Sequence, residues 1–134
     1  MQNCLVTGCA GFIGSHITDY LLNRNFSVIG IDNLSTGREK FLENNIDNKQ
    51  FTFINEDLLN YNKIHKYFKD ISIVYHLSAN ADVRFGFNHP KKDIDQNILV
   101  TSNVLEAMKH NEVKKIIFSS TGSVYGEHKT IPTP

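Results

Sequence analysis

The chain has 134 residues, of which 40% are hydrophobic and 21% are charged. This is the composition of an ordinary globular domain and not of a disordered or fibrous protein. A chain of this length buries enough surface for one hydrophobic core, and a second full domain does not fit. Fourteen Lys and Arg balance fourteen Asp and Glu, with no long basic run, so nucleic acid is not an expected partner.

The N-terminal segment is apolar only over Cys4, Leu5 and Val6, which is far too short for a signal-peptide core or a membrane span. We therefore expect a cytoplasmic protein with no membrane partner. Cys4 and Cys9 are the two cysteines of the sequence. Because one pair makes no disulfide framework, we interpret both as reduced and structural. The six histidines are scattered without the spacing of metal ligands, so no metal site is expected.

Short apolar runs rich in β-branched and aromatic residues alternate along the chain with segments of helical period. This alternation is typical of a parallel sheet covered on both faces. The predicted strands are 3–7, 27–31, 51–55, 71–77 and 115–119. Right-handed crossovers place them in the order 3-2-1-4-5. The predicted fold is thus an α/β, Rossmann-like, three-layer doubly wound sheet over residues 1–134, truncated after strand five.

Between these strands the apolar periodicity predicts four helices. The first covers 12–24, a short one lies around 38–43, another covers 61–68, and a long one runs from Pro90 to about 110. The buried face of the first is predicted to consist of Ile13, Ile17, Tyr20 and Leu21. The inner face of the long helix is predicted to consist of Ile94, Ile98, Leu105 and Met108.

A glycine-rich loop, Thr7-Gly8-Cys9-Ala10-Gly11-Phe12-Ile13-Gly14-Ser15, joins the first strand to the first helix. Gly8 permits the tight turn, Gly11 leaves room for a pyrophosphate, and Gly14 allows close packing of the helix on the sheet. The amides of Phe12 and Ile13 lie at the helix N-terminus, where an anion is favoured. A structural turn without a ligand is the alternative interpretation.

Asp32 ends the second strand and makes the binding interpretation more specific. A carboxylate at this place accepts hydrogen bonds from the adenosine ribose hydroxyls and repels a 2′-phosphate. The sequence therefore predicts NAD as the cofactor in preference to NADP, although Arg38 lies close enough to weaken the argument.

The glycine spacing resembles that of extended short-chain dehydrogenases/reductases, and Gly11-Phe12-Ile13-Gly14-Ser15 resembles their NAD-dependent nucleotide-sugar epimerase/dehydratase branch. The segment 81–84, Ala-Asp-Val-Arg, is similar to that of UDP-glucose 4-epimerase relatives. The resemblance implies cofactor contacts along the chain beyond the glycine loop and Asp32. They are Asn33 and Thr36 near the ribose and phosphate, Asp57 and Leu58 at the adenine edge, Leu77, Ser78 and Ala79 after the fourth strand, Asn97 in the long helix, and Ser119.

The segment 118–126 resembles the active-site strand end of this family. The resemblance implies that Thr121 is the catalytic residue that hydrogen-bonds the reacting sugar oxygen and that Ser123 is a further substrate contact. The alternative is a hydroxyl-rich turn that satisfies its own backbone. The family also uses a Tyr-x-x-x-Lys pair further along the chain. Tyr125 and Lys129 have that spacing, but the following prolines are incompatible with a helix that would aim both.

The resemblance implies an isomerase of carbohydrate metabolism, a nucleotide-sugar epimerase that transfers a hydride to NAD and back, with a UDP-sugar as substrate. The chain would be its N-terminal cofactor-binding part, either a fragment or a shortened product, and inactive alone. A non-catalytic dinucleotide-binding module and a dehydratase or decarboxylase of the same family are the alternatives. Gly122 and Ser123 favour epimerisation, because dehydratases place acidic residues there. The family's use of the long helix in dimers implies a homodimer through 91–110.

Overall fold

The structure, a computed structural model, describes residues 2–80, 82–127 and 130–131. Five parallel strands form one sheet in the order β3-β2-β1-β4-β5, which confirms the predicted fold class and strand order. The strands are β1 (Asn3–Thr7), β2 (Ser27–Asp32), β3 (Phe51–Asn55), β4 (Ile73–His76) and β5 (Ile116–Phe118). Strands β4 and β5 are shorter at both ends than predicted, because element ends are the least determined part of a sequence pattern.

The connections contain helices on both faces of the sheet. They are α1 (Phe12–Leu22), a 3-10 turn (Glu39–Leu42), α2 (Tyr61–Ile64) with a following 3-10 turn (His65–Phe68), α3 (Val83–Asn88), α4 (Pro90–Asp93), a π-helical segment (Ile94–Leu99), α5 (Val100–His110) and a 3-10 turn (Gly122–Tyr125). Helix α3, the π segment and the last 3-10 turn were not predicted. In the described part of the chain no helix has the length and apolarity needed to cross a membrane.

The core lies in two layers, one on each face of the sheet, because successive side chains of a strand point to opposite faces. Leu5 points to one face, where β1, β2 and β4 pack against α5 and the α2 region. Cys4 and Val6 point to the other face, where they pack with Leu21 and Leu22 of α1. Because all five strands are parallel, their carboxyl ends lie at one edge of the sheet, between these two layers.

The predicted buried face of α1 is wrong at two positions, because Ile13 is 60% and Tyr20 is 53% exposed. Leu21 is buried as predicted, and Ile17 packs partly against the core. The buried face starts instead at Gly14 and continues through small polar residues, Ser15 and Thr18, before reaching Leu21 and Leu22. A Cβ on Gly14 would lie 2.0 Å from the Gly8 carbonyl oxygen, so this face lies directly against the glycine loop. Apolarity therefore did not predict the buried face of α1, because the close approach of two backbones decides the packing there.

The predicted inner face of the long helix is also wrong, with the exception of Met108. Ile94, Ile98 and Leu105 are exposed, whereas α5 buries Val100, Val104, Ala107 and Met108. The physical reason is the π segment, which interrupts the 3.6-residue period. An apolar stripe drawn from Ile94 to Met108 therefore does not stay on one side of the helix.

Candidate functional site

The glycine loop lies at the carboxyl end of β1, and its glycines are required by geometry. Gly8 has a φ of +69°, a conformation that favours glycine, and a Cβ there would lie 3.0 Å from the Ser78 nitrogen. Its amide donates to the Ile31 carbonyl oxygen at 2.8 Å, which ties the turn to β2. Gly11 is the N-cap of α1, a helix that is fully described and has no side-chain cap. The first amides of α1 are thus free of a side-chain acceptor, as an anion site requires.

Asp32 joins the loop to the segment that follows β2. One of its carboxylate oxygens accepts the Ala10 amide at 3.0 Å, and the other accepts the Leu34 amide at 2.8 Å. The side chain is buried. Because a carboxylate offers about four acceptor positions, these two bonds leave capacity for ligand hydroxyls. The sequence predicted the ligand role of Asp32 but not this structural role.

A cavity of about 380 Å³ opens at this edge of the sheet, next to the glycine loop and Asp32. It brings together most of the residues predicted to contact the cofactor. These are Gly8, Gly11, Phe12, Ile13, Gly14, Asp32, Asn33, Thr36, Leu58, Leu77, Ser78, Ala79 and Ser119. The cavity is also lined by four residues that were not predicted, namely Ser35, Gly37, Glu56 and Gln96.

Two predicted cofactor residues, Asp57 and Asn97, are not among the lining residues of the cavity. Asp57 accepts hydrogen bonds from the Asn33 side chain at 2.9 Å and from the Leu59 amide at 2.8 Å. Asn97 accepts the Asn80 amide at 2.8 Å. Asp57 thus binds a residue that lines the cavity, and Asn97 binds the residue that follows the lining residue Ala79. Glu56 and Gln96, each one residue earlier, line the cavity instead. The motifs identified the correct segments of the chain, but the local backbone conformation determines which residue of each segment faces the cavity.

The predicted cofactor residue Ser119 and the predicted substrate residues Thr121 and Ser123 follow β5. The Ser119 amide donates to the His76 carbonyl oxygen at 3.3 Å, and this residue lines the cavity. Thr121 is exposed and is not among the lining residues, and its carbonyl oxygen accepts the Val124 amide at 3.3 Å. Tyr125 is exposed at the end of the last 3-10 turn. The side chain of Ser123, and Ala81 and Lys129, lie outside the described residues.

His76 ends β4, and no functional role was predicted for it. Its ring is buried beneath the cavity wall, where desolvation lowers its pKa to about 4. Its Nδ1 lies 2.7 Å from the Thr7 hydroxyl, and its Nε2 lies 3.0 Å from the Thr101 hydroxyl. The ring of Phe118 stacks on it at a centroid distance of 5.6 Å. At neutral pH the ring is therefore neutral, with both nitrogens in contact with hydroxyl groups.

The two thiols lie in the layer beneath the loop. Cys4 and Cys9 are both free and buried. Burial raises the pKa of each thiol, and for Cys9 the charge of Asp32 raises it further. Cys9 also packs against Gly30, where a Cβ would lie 2.7 Å from its sulfur. These thiols pack the core, where burial disfavours the reactive thiolate form.

A parallel doubly wound sheet with a glycine loop, an acidic residue ending β2 and a cavity between them defines the dinucleotide-binding class of α/β proteins. The chain belongs to the NAD dependent epimerase/dehydratase family, whose model matches residues 4–134. This confirms the family resemblance drawn from the motifs. The cofactor of the family is NAD, as the sequence predicted.

Two curated proteins and one solved structure illustrate the similarity of the chain to known proteins. A Methanocaldococcus jannaschii protein with a provisional UDP-glucose 4-epimerase name is 45% identical over 96% of this chain and 41% of its own length. The structure of UDP-glucuronic acid 4-epimerase from Bacillus cereus, in complex with UDP-glucuronic acid and NAD, has a TM-score of 0.88 and 40% identity over 96% of this chain and 43% of that one. UDP-N-acetyl-alpha-D-glucosaminuronate decarboxylase of Bacillus cytotoxicus is 35% identical over 94% of this chain and 38% of its own length. The chain thus spans about two fifths of the length of these relatives.

Proposed function

We propose that residues 1–134 are the cofactor-binding part of an NAD-dependent nucleotide-sugar epimerase with UDP-glucose 4-epimerase-like activity. The observation that carries the proposal is the cavity at the carboxyl edge of the sheet, bounded by an uncapped helix N-terminus and a buried carboxylate. One end of this cavity suits a diphosphate, and the other suits a ribose. The similarity to 4-epimerases of UDP-sugars supports a sugar nucleotide as the substrate class.

In this proposal each part of the site has one task. The amides of Phe12 and Ile13 hold the diphosphate, and Asp32 accepts the ribose hydroxyls and repels a 2′-phosphate. Ser78 and Ser119 bound the cavity at the ends of β4 and β5 and orient what lies there. A bound NAD would supply reversible hydride transfer, the redox chemistry that inversion at a sugar carbon requires.

Thr121 is proposed to hydrogen-bond the reacting sugar oxygen, and Ser123 to contact the substrate. The support is that both residues follow β5 within a few residues of Ser119, which lines the cavity. The chain carries no carboxylate at Gly122 or Ser123 to act as an acid or base, which favours epimerisation over dehydration. The decarboxylase among the relatives keeps that chemistry as the alternative within the family.

A non-catalytic dinucleotide-binding module is the second candidate function. The observation that favours it is the place of Tyr125, which is exposed in a four-residue 3-10 turn instead of projecting from a longer helix. On this alternative the chain binds NAD and converts no sugar.

The proposal is tested with the polypeptide expressed from the complete reading frame that carries these residues, and with residues 1–134 alone. We expect the former to interconvert UDP-glucose and UDP-galactose or another pair of C4 epimers without net consumption of NAD. Thr121→Ala should lower kcat by about 100-fold, because a hydrogen bond made in the transition state is lost. Thr130 is exposed, and Thr130→Ala is the control that should leave kcat unchanged. Residues 1–134 should bind NAD without turnover. Irreversible loss of water or CO2 from the sugar would overturn the epimerase proposal, and a complete polypeptide that binds NAD without converting a sugar would favour the module.

We further propose a homodimer through helix 91–110. Ile94, Ile98 and Leu105 support it, because these large apolar side chains are about half exposed or more on that helix. Light scattering on the complete polypeptide should give twice the monomer mass, and Ile98→Glu should reduce it to the monomer value.

A further inference from the structure

The hydrogen bonds around Thr7 fix where its hydroxyl proton goes. Its Oγ1 accepts the Leu77 amide at 3.1 Å and the Ser78 amide at 3.3 Å, and the Leu77 amide also donates to the Thr7 carbonyl oxygen at 3.3 Å. Amide groups only donate, so both lone-pair positions of the hydroxyl oxygen are used. Its third contact, at 2.7 Å, is the Nδ1 of His76. The hydroxyl must therefore donate its proton to Nδ1, and Nδ1 must be the unprotonated nitrogen of the ring.

The hydrogen bonds around Thr101 lead to the same tautomer from the other side of the ring. The Thr101 hydroxyl donates to the Asn97 carbonyl oxygen at 2.7 Å, four residues earlier. Its proton is thus used, and its contact with the His76 Nε2 at 3.0 Å requires that Nε2 carries the hydrogen. Two independent sets of partners assign one tautomer, Nε2–H, to His76.

The two hydroxyl groups that hold His76 connect it to opposite parts of the cavity wall. Thr7 positions Leu77 and Ser78, which line the cavity. Thr101 binds the carbonyl group of Asn97 within the π segment, which presents Gln96 to the same cavity.

The π segment needs support of this kind. The Val100 amide donates to the Asp95 carbonyl oxygen, five residues earlier, so the usual pairing with a carbonyl four residues earlier is displaced. The Thr101 hydroxyl supplies a donor to the Asn97 carbonyl oxygen in this irregular turn. The shape of the turn is thus linked through the His76 ring to the end of β4.

We propose that His76 is a positioning residue of the dinucleotide cavity, which as the Nε2–H tautomer holds the Leu77–Ser78 wall through Thr7 and the Gln96-bearing π segment through Thr101. The role rests on the proposed function only in that the cavity binds NAD. His76 is not among the residues that line the cavity, and it acts by keeping two walls at a fixed separation.

The first test is spectroscopic and independent of any ligand. Long-range proton–nitrogen correlation spectra of residues 1–134, labelled with ¹⁵N, distinguish the protonated from the unprotonated ring nitrogen. We expect His76 to show a protonated Nε2 and an unprotonated Nδ1 at pH 7. An Nδ1–H pattern or rapid exchange between the two tautomers would overturn the proposal.

The second test asks whether the two walls are linked through the ring. Thr101→Val keeps the shape but removes the hydroxyl, whereas Thr101→Ser keeps the hydroxyl, and Ser102→Ala removes an exposed neighbouring hydroxyl. Thr101→Val should shift the amide signals of Leu77 and Ser78, on the far side of His76, and weaken NAD binding by about tenfold, the effect of one hydrogen bond. Thr101→Ser and Ser102→Ala should do neither.

Unchanged Leu77 and Ser78 signals in a folded Thr101→Val variant would overturn the linkage, as would an equal effect of Ser102→Ala. If Thr101→Val does not fold, the tautomer of His76 in the unaltered chain and the behaviour of Thr101→Ser decide whether the proposal holds. If the unaltered chain binds no NAD, the proposed function fails. The ring tautomer and the amide shifts still test the positioning role of His76 in that case.

Discussion

At Gly14 a single hydrogen atom separates the backbone of α1 from the backbone of the glycine loop. A Cβ there would lie 2.0 Å from the Gly8 carbonyl oxygen and 2.9 Å from the Cys9 Cα. Both neighbours are backbone atoms, so neither can turn away as a side chain would. The requirement for glycine at this position therefore comes from packing, and the anion site proposed at the start of α1 depends on it.

Gly14→Ala should destabilise the chain by about 1–3 kcal/mol or more, because the helix must move away from the loop. It should also abolish NAD binding, since the first amides of α1 move with the helix. Urea unfolding and calorimetric titration measure the two effects. Gly122→Ala is the matched control, because a Cβ there meets nothing within 4 Å, and its stability should change by less than about 1 kcal/mol. A Gly14→Ala variant with unaltered stability would contradict the packing argument.

His76 gives the stability of the fold a dependence on pH. Burial lowers its pKa from 6.5 to about 4, so between these values the unfolded chain binds more protons than the folded chain. A fall in pH through this range therefore favours unfolding, and the contribution of the neutral ring is fully present only above the unfolded pKa. The hydroxyl of Thr7, already donating to Nδ1, offers no acceptor for an added proton.

The prediction concerns the difference in unfolding free energy between the unaltered chain and His76→Gln. We expect this difference to shrink by about 2 kcal/mol between about pH 7 and pH 5, because only the histidine takes up a proton on unfolding. Urea titrations at both pH values measure it, and groups common to both proteins cancel. A difference that is the same at both values would show that His76 is not held neutral by the fold.

At the scale of elements, α1 and α5 show why an apolar stripe is an incomplete guide to packing. In α1 the close approach of Gly14 to the loop selects a face that includes Ser15 and Thr18. The Thr18 hydroxyl is satisfied by the Gly14 carbonyl oxygen at 2.9 Å, so it is buried at little cost. In α5 the preceding π segment changes the phase, and the stripe through Val100 and Val104 packs on the sheet.

Two neighbouring residues of α5 test which face is buried. Val104 is fully buried and Leu105 is 48% exposed. Val104→Ala should lower the free energy of unfolding by about 2 kcal/mol or more, because it removes buried methyl groups and leaves a cavity. Leu105→Ala should cost less than about 1 kcal/mol. Denaturant unfolding at low protein concentration measures both free energies. A larger loss of stability for Leu105→Ala than for Val104→Ala would show that the face predicted from the sequence is the buried one.

Much of the architecture was predictable because it follows from local patterns with strong physical causes. Continuous apolar runs gave the strands, and the handedness of crossovers then gave their order. The glycine loop and Asp32 were predictable because few residue types meet those geometric and electrostatic needs. Ser35, Gly37, Glu56 and Gln96 were not, since their contact with the cavity depends on loop and π-turn geometry that the sequence pattern does not encode. Whether Thr121 contacts a sugar stays a prediction.

At the scale of the whole molecule, the carboxyl ends of β1 and β4 meet where the chain changes direction across the sheet. The crossover from β1 to β2 runs on one face, and the connections that lead to β4 and β5 run on the other. A crevice forms at such a point in open α/β sheets. The cavity, the glycine loop and the Asp32 carboxylate all lie there, so fold and site have one origin.

Calorimetric titration of residues 1–134 with NAD and with NADP is the most direct test of this account. A diphosphate site at the start of α1 beside the Asp32 carboxylate predicts saturable one-to-one binding of NAD and binding of NADP weaker by about tenfold or more. Folded protein that shows no saturable heat with NAD, or that prefers NADP, would contradict it.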